Sequence, residues 1–209
     1  MKITVVLNGE PPCPEHLRQA SEDSELYAAD GGAAPCLAAS VRPCAVVGDF
    51  DSQEITALPG DWNCIVDTDQ NFTDFEKVLR RVPEEMSSLT VLGGLGGRLD
   101  HVWNNLMIAA ALSPSLPVCF VGEREVLWRV TPLRPLSLQC VHGALISLLP
   151  LGPTAGVSTC GLRWELRAAA LGGDQGLAQS NVAEGPVEIS LRSGILYVWS
   201  EPTSCAFPD

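Results

Sequence analysis

Lysine is almost missing from this chain: its 209 residues hold only Lys2 and Lys77. Basic residues number 13 against 25 acidic ones, for a formal net charge of −12. A field of that sign repels phosphate backbones, which excludes a basic nucleic-acid-binding face. The chain also lacks a C-x-x-C pair, although it has 8 cysteines (Cys13, Cys36, Cys44, Cys64, Cys119, Cys140, Cys160 and Cys205). Several sit in apolar segments, such as Pro117-Val-Cys-Phe-Val121. Buried, reduced thiols are therefore expected rather than a disulfide framework or a zinc site. No apolar run approaches the roughly 18 residues of a membrane span; the longest, residues 105–112 and 144–151, are core-sized. The start, Met1-Lys-Ile-Thr-Val-Val6, has neither the apolar length nor the cleavage site of a secretory signal. The expectation is a soluble, cytoplasmic protein with no nucleic-acid or membrane partner.

What is present is apolar material and localised acidity. Hydrophobic residues make up 46% of the chain, ample for a core. Residues 1–105 carry 17 acids and 7 bases, leaving the second half close to neutral. Up to about Gly122, short apolar runs at 3–7, 26–29, 45–47, 64–66, 89–92 and 118–121 alternate with helical patterns at 14–20, 33–40, 73–82 and 99–112. That alternation predicts an α/β fold with a largely parallel sheet flanked by helices. From about Glu123, β-like runs follow one another at 126–130, 137–141, 144–149, 187–191 and 195–199, with Ser193-Gly194 in the form of a hairpin turn. These predict a C-terminal antiparallel β-sandwich over 123–209, after an α/β domain over 1–122.

Four segments of the first half share one design, an apolar strand that delivers aspartate beside glycine or a helix start. They are Ala29-Asp-Gly-Gly32, Val47-Gly-Asp-Phe-Asp-Ser52, Asp69-Gln-Asn-Phe-Thr-Asp74 and Leu92-Gly-Gly-Leu-Gly-Gly-Arg-Leu-Asp100. In an open α/β sheet, strand C-termini line the crevice where ligands bind. Asp49 and Asp51 are two apart, so in extended backbone both carboxylates share a face. Such a pair either binds a cation of the Mg²⁺ type or forms an Asp-rich turn with Asp51 or Ser52 as a helix cap. Thr73 and Glu76 have capping-box spacing, which places Asp74 in a first helical turn.

Gly93-Gly-Leu-Gly-Gly97 puts four glycines in five residues after a strand. Such a loop costs backbone entropy and gives nothing to a core, but it lets a ligand approach and turns N–H groups toward an anion. Arg98 adds a guanidinium fork for phosphate. The loop is no P-loop, since no Lys-Ser/Thr follows it, and no dinucleotide fingerprint either. Asp100 reads as a helix cap or a catalytic acid, and His101 as a packed histidine or a base. Together the segments hold acids for a divalent cation and donors for phosphates, the kit for phosphoryl-type transfer from a nucleotide.

In order and spacing, these segments resemble the thiamin pyrophosphokinase family. Gly48-Asp-Phe-Asp-Ser52 and Gly93-Gly-Leu-Gly-Gly-Arg-Leu-Asp-His101 carry most of the resemblance, with Gln70 and Thr73-Asp-Phe75 between them. Gly161-Leu-Arg-Trp-Glu-Leu166 and Gln179-Ser-Asn181 extend it into the second half. The resemblance implies transfer of the terminal pyrophosphoryl group of ATP to the thiamin hydroxyl, giving thiamin diphosphate and AMP with Mg²⁺, by a homodimer. It further implies that Asp49, Asp51 and Asp74 bind metal and phosphates, with Asp30 and Asp100 as supporting acids. Asp30, Gly31, Gly94, Gly96, Gly97 and Arg98 would hold ATP. Gln70, Thr73, Ser180 and Asn181 would contact thiamin, in a pocket that in the family lies between subunits. Asn71-Phe72 stands where members often carry an acidic or other polar residue. Trp164 and Trp199 are read as sandwich core rather than as ring-stacking platforms. A pterin-type hydroxymethyl acceptor and a non-catalytic thiamin or nucleotide sensor are the alternative readings.

Overall fold

Near-continuous apolar runs build the first sheet, as expected of strands covered on both faces. The computed structural model describes residues 1–51, 55–172, 178–202 and, by backbone, 205–206. Strands β1 (Lys2–Val6), β2 (Glu25–Ala29), β3 (Ala45–Gly48), β4 (Cys64–Val66) and β5 (Ser88–Leu92) pair in the order β5-β1-β2-β3-β4. Every pairing among them is parallel, with Val6 level with Ala28 and Leu92, and Gly48 level with Val66. Helices α1 (Pro14–Asp23), α2 (Ala33–Ala38), α3 (Asp74–Leu79) and α4 (Leu99–Ala111) alternate with the strands, and β6 (Val118–Val121) follows.

Period-2 alternation divides the strand side chains between two cores. Val6, Leu26, Ala28, Val46 and Leu92 pack with Leu17 of α1 and with Ala33 and Cys36 of α2. The alternate residues face the other side, where α3 lies over β2 and β3 with Phe75 and Val78 buried. The chain divides into two compact units, Met1–Ala109 with Phe120–Glu123, and Ala110–Cys119 with Arg124–Asp209.

The second unit is antiparallel. Its strands are β7 (Val126–Val130), β8 (Leu136–Cys140), β9 (Leu145–Pro150), β10 (Thr154–Leu162), β11 (Ala169–Leu171), β12 (Asn181–Ser190), β13 (Leu196–Ser200) and β14 (Cys205–Ala206). Strand β13 lies between β7 and β9, while β12 meets β9 at its start and β8 and β10 further along. Leu136 and Leu138 of β8, and Val187 and Ile189 of β12, are buried, with exposed polar residues between them. Buried Arg129 on β7 donates to the carbonyls of Leu112 at 3.1 Å, Ser113 at 2.7 Å and Leu116 at 2.6 Å. It thereby satisfies backbone groups that follow the end of α4.

Several sequence expectations need correction. Ser193-Gly194 joins strands that do not pair with each other; Ser193 bridges to Ala155 instead. Strands β10 and β11 and the first half of β12 were not foreseen, because Gly156, Gly161, Gly185 and Pro186 interrupt the alternation. A side chain at Gly161 (φ +81°) would overlap the Pro186 carbonyl oxygen. Cys44 and Cys160 are exposed rather than buried, and Cys140 is disulfide-bonded rather than reduced. Trp164 is 59% exposed and so is no core residue. Trp199 is half-buried, its indole N–H donating to Glu125 at 2.8 Å. No helix among the described residues is long and apolar enough to cross a membrane.

Candidate active site

Parallel strands deliver their C-terminal ends to one edge, so the loops after β1, β2, β3, β4 and β5 share a crevice. Asp30 leaves β2 with φ +29° and is buried. It fits because its neighbour on β3 is a glycine: a Cβ on Gly48 would lie 2.7 Å from the Asp30 Cβ. Phe50 between the next two aspartates is also left-handed, at φ +61°. Asp49 and Asp51 therefore converge through a turn, in which the Asp51 N–H donates to Asp49 Oδ1 at 3.4 Å. The extended geometry read from their spacing does not occur. Ser52, the alternative cap, lies outside the described residues.

Carboxylate oxygens of Asp30, Asp49 and Asp51 lie within 4.8 Å of one another. A hard cation taking oxygen ligands fits such a donor set, with water and phosphate oxygens completing its shell. Asp74 stands apart from this trio and joins it through a lysine. Lys77 is buried; its ammonium lies 3.0 Å from Asp74 Oδ1 and 3.6 Å from Asp49 Oδ2. Gln70 Nε2 donates to the same Asp49 oxygen at 2.7 Å. That bond, with the Asp51 N–H and Lys77 adding to it against some burial, holds the Asp49 carboxyl below its ordinary range. Burial works against the Lys77 charge, but its bonds to Asp74 and Asp49 outweigh it and push its pKa up. Lys77 and Gln70 thus fix the acid that the turn presents.

Thr73 caps α3: its hydroxyl accepts from the Glu76 N–H, and its own N–H donates to Glu76 Oε2 at 2.9 Å. The capping box uses the hydroxyl's donor and one of its two acceptor positions. Asn71 donates to Asp69 from both backbone (3.0 Å) and side chain (2.8 Å), and Phe72 carries the Arg80 guanidinium over its ring.

The glycine loop lies beside the loop after β1. The Gly9 N–H donates to the Gly93 carbonyl at 2.8 Å and the Glu10 N–H to the Leu95 carbonyl at 3.1 Å. Asn105 of α4 holds the loop from its other end, donating to the Gly94 carbonyl at 3.1 Å. A side chain at Gly31 would overlap Asn8, and one at Gly94 would meet Val91 and Phe120. Gly96 (φ +73°) faces Glu10, whereas Gly97 (φ +69°) faces open space. Gly93 has φ +63°, and a Cβ there would overlap the Leu7 carbonyl oxygen. Gly93→Ala is expected to disrupt the paired loops and lower the melting temperature strongly. Gly97→Ala should cost only the left-handed penalty of about 1–2 kcal/mol. Equal melting temperatures for the two variants would contradict this account.

Arg98 and Asp100 form a bidentate fork, Nε to Oδ1 at 3.1 Å and an Nη to Oδ2 at 2.6 Å, with both side chains exposed. The Arg98 contact holds the Asp100 carboxyl below its ordinary range.

In the second unit, Asn181 is buried and its amide grips one turn. It accepts from the Trp164 N–H at 3.2 Å and donates to the Trp164 carbonyl at 2.8 Å. The Trp164 indole stands exposed beside Arg163, whose guanidinium lies 5.7 Å from the ring centre. Ser180 is left-handed (φ +56°), and its N–H donates to Ser147 Oγ at 3.0 Å.

Two family models match the chain: the thiamin pyrophosphokinase catalytic domain over residues 17–120 and the thiamin pyrophosphokinase vitamin B1 binding domain over residues 136–196. The chain belongs to the thiamin pyrophosphokinase family. Thiamine pyrophosphokinase 1 of Oryza sativa subsp. japonica is 29% identical, over 76% of this chain and 66% of its own length. The chain thus spans about two thirds of that relative, and it spans 52% of thiamine pyrophosphokinase 2 of Arabidopsis thaliana. The fold is that of the thiamin pyrophosphokinases of Bacillus subtilis (TM-score 0.82, 19% identity, covering 96% of this chain and 99% of that one) and Candida albicans (0.83, 16%, 96% and 88%).

Sequence reading missed Asn8, Lys77 and Asn105 at this crevice. For Asn8 a signal was available, since Asn-Gly-Glu follows the first strand as Asp-Gly-Gly follows the second.

Proposed function

We propose that the protein transfers the terminal pyrophosphoryl group of ATP to the hydroxyl of thiamin, giving thiamin diphosphate and AMP. The observation that carries this reading is the convergence of Asp30, Asp49 and Asp51 at the crevice that the glycine loop also lines. In the reaction the thiamin hydroxyl oxygen bonds to the β-phosphorus, the bond from that phosphorus to the α–β bridging oxygen breaks, and the hydroxyl proton is released. Asp30, Asp49 and Asp51 would hold Mg²⁺, which neutralises triphosphate charge when bound. Backbone N–H groups of the glycine loop would hold phosphate oxygens, with Arg98 exchanging Asp100 for phosphate. Asp74 serves the site through Lys77.

For the acceptor, Gln70 orients Asp49 and Asn181 fixes the Trp164 turn. The exposed Trp164 ring offers a face to a cationic thiazolium. We place the thiamin pocket between the subunits of a homodimer, as the family resemblance implies. Cytoplasmic residence is supported by the reduced thiols of Cys13, Cys36, Cys44, Cys64 and Cys160.

The test is an acceptor panel with ATP and Mg²⁺. AMP should form with thiamin and not with a hydroxymethylpterin. AMP formed only with the pterin would reassign the acceptor, and tight thiamin binding without turnover would make the protein a sensor.

A further inference from the structure

A buried lysine is costly, and this one is among the few buried charged side chains described. Lys77 faces Asp74 and Asp49, and Asp49 belongs to a group of three carboxylates within 4.8 Å. Without a counter-charge, carboxylates so close repel one another and would either protonate or move apart. Gln70 orients Asp49 but brings no charge. The capping box at Thr73 and Glu76 fixes the start of α3 and with it the reach of Lys77, one turn further on. Asp49 meets this ammonium on its inner side, while Asp51 is exposed to solvent.

We propose that Lys77 is a positioning residue of the candidate metal site, a resident cation that holds Asp49 and Asp74 and balances the carboxylates before any metal arrives. The inference rests on the metal-site reading above. In this arrangement the site exists preformed in the metal-free protein, and Lys77 tempers its attraction for the free ion, so that metal binds mainly together with nucleotide phosphates.

The test is Lys77→Met, with Mn²⁺ binding measured by calorimetry without nucleotide, and with melting temperature measured in chelator and in Mg²⁺. Removing one positive charge from within bonding reach of the carboxylates should tighten nucleotide-free Mn²⁺ binding about tenfold or more. The variant should melt below wild type in chelator and gain more from Mg²⁺ than wild type does, while kcat falls. Lys77→Arg, which keeps the charge, should bind Mn²⁺ within about twofold of wild type. A Lys77→Met variant that is less stable but has unchanged Mn²⁺ affinity and an unchanged Mg²⁺ shift would overturn the proposal and leave Lys77 a packing residue. If Lys77→Met fails to fold, Lys77→Gln carries the same readout. Failure of both to fold even in Mg²⁺ overturns the proposal too, because a divalent ion should replace the missing charge. Absence of Mn²⁺ binding by both wild type and Lys77→Met would instead overturn the metal-site reading itself.

Discussion

Asp49→Asn is expected to lower kcat by at least about 100-fold while circular dichroism shows the fold retained. Groups that merely orient metal ligands typically cost 10- to 100-fold when removed, and Asp49 is placed as a ligand. It is also the residue on which the site's supports converge: Gln70, Lys77 and the Asp51 N–H all reach its carboxylate. Asparagine keeps the shape but loses the charge and one acceptor, leaving Gln70 and Lys77 poorly matched. Asp51→Asn should lose turnover comparably, with less effect on stability because Asp51 is exposed. Near-normal activity of Asp51→Asn at ordinary Mg²⁺ would remove Asp51 from the site. The pH dependence has a definite sign. Because the folded-state pKa of Asp49 is lowered, its contribution is present above the ordinary carboxylate range and is lost as pH falls through the lowered value. Acid melting of Asp49→Asn should therefore lack that part of the wild-type pH dependence.

Arg129→Met is expected to have the largest effect on stability. Methionine fills much of the stem volume but leaves the carbonyls of Leu112, Ser113 and Leu116 without the guanidinium that now satisfies them. Buried acceptors left unmade cost roughly 1–3 kcal/mol each; with partial rehydration, a total of about 3 kcal/mol follows. For a domain of this size that corresponds to a fall in melting temperature of roughly 6–12 °C. Arg129→Lys should recover little, since one ammonium cannot span carbonyls that a planar fork reaches together. A change under about 2 °C for Arg129→Met would show that water or backbone rearrangement replaces the arginine.

How far the site could be read in advance follows from where its information lies. The α/β alternation and the aspartate-bearing strand ends are local signals, and parallel pairing then gathers them without further information. The capping box at Thr73 was equally local. Lys77 was not legible, because a lysine inside an amphipathic helix reads as solvated surface. Only the tertiary placement of Asp49 against α3 buries it. A turn was one of two readings of this segment, but nothing in Asp-Phe-Asp announces that it runs through a left-handed phenylalanine. In the second unit, Gly161, Gly185 and Pro186 broke the strand pattern where strands in fact continue. Trp164 looked like core because tryptophan usually is, whereas the amide of Asn181 holds its turn outward.

The most direct test of pyrophosphoryl transfer is the fate of the β-phosphorus of ATP. With ATP labelled at that position, plus thiamin and Mg²⁺, the account predicts that the label leaves with the acceptor as thiamin diphosphate while unlabelled AMP accumulates. Label retained in ADP, with thiamin monophosphate as the other product, would contradict it.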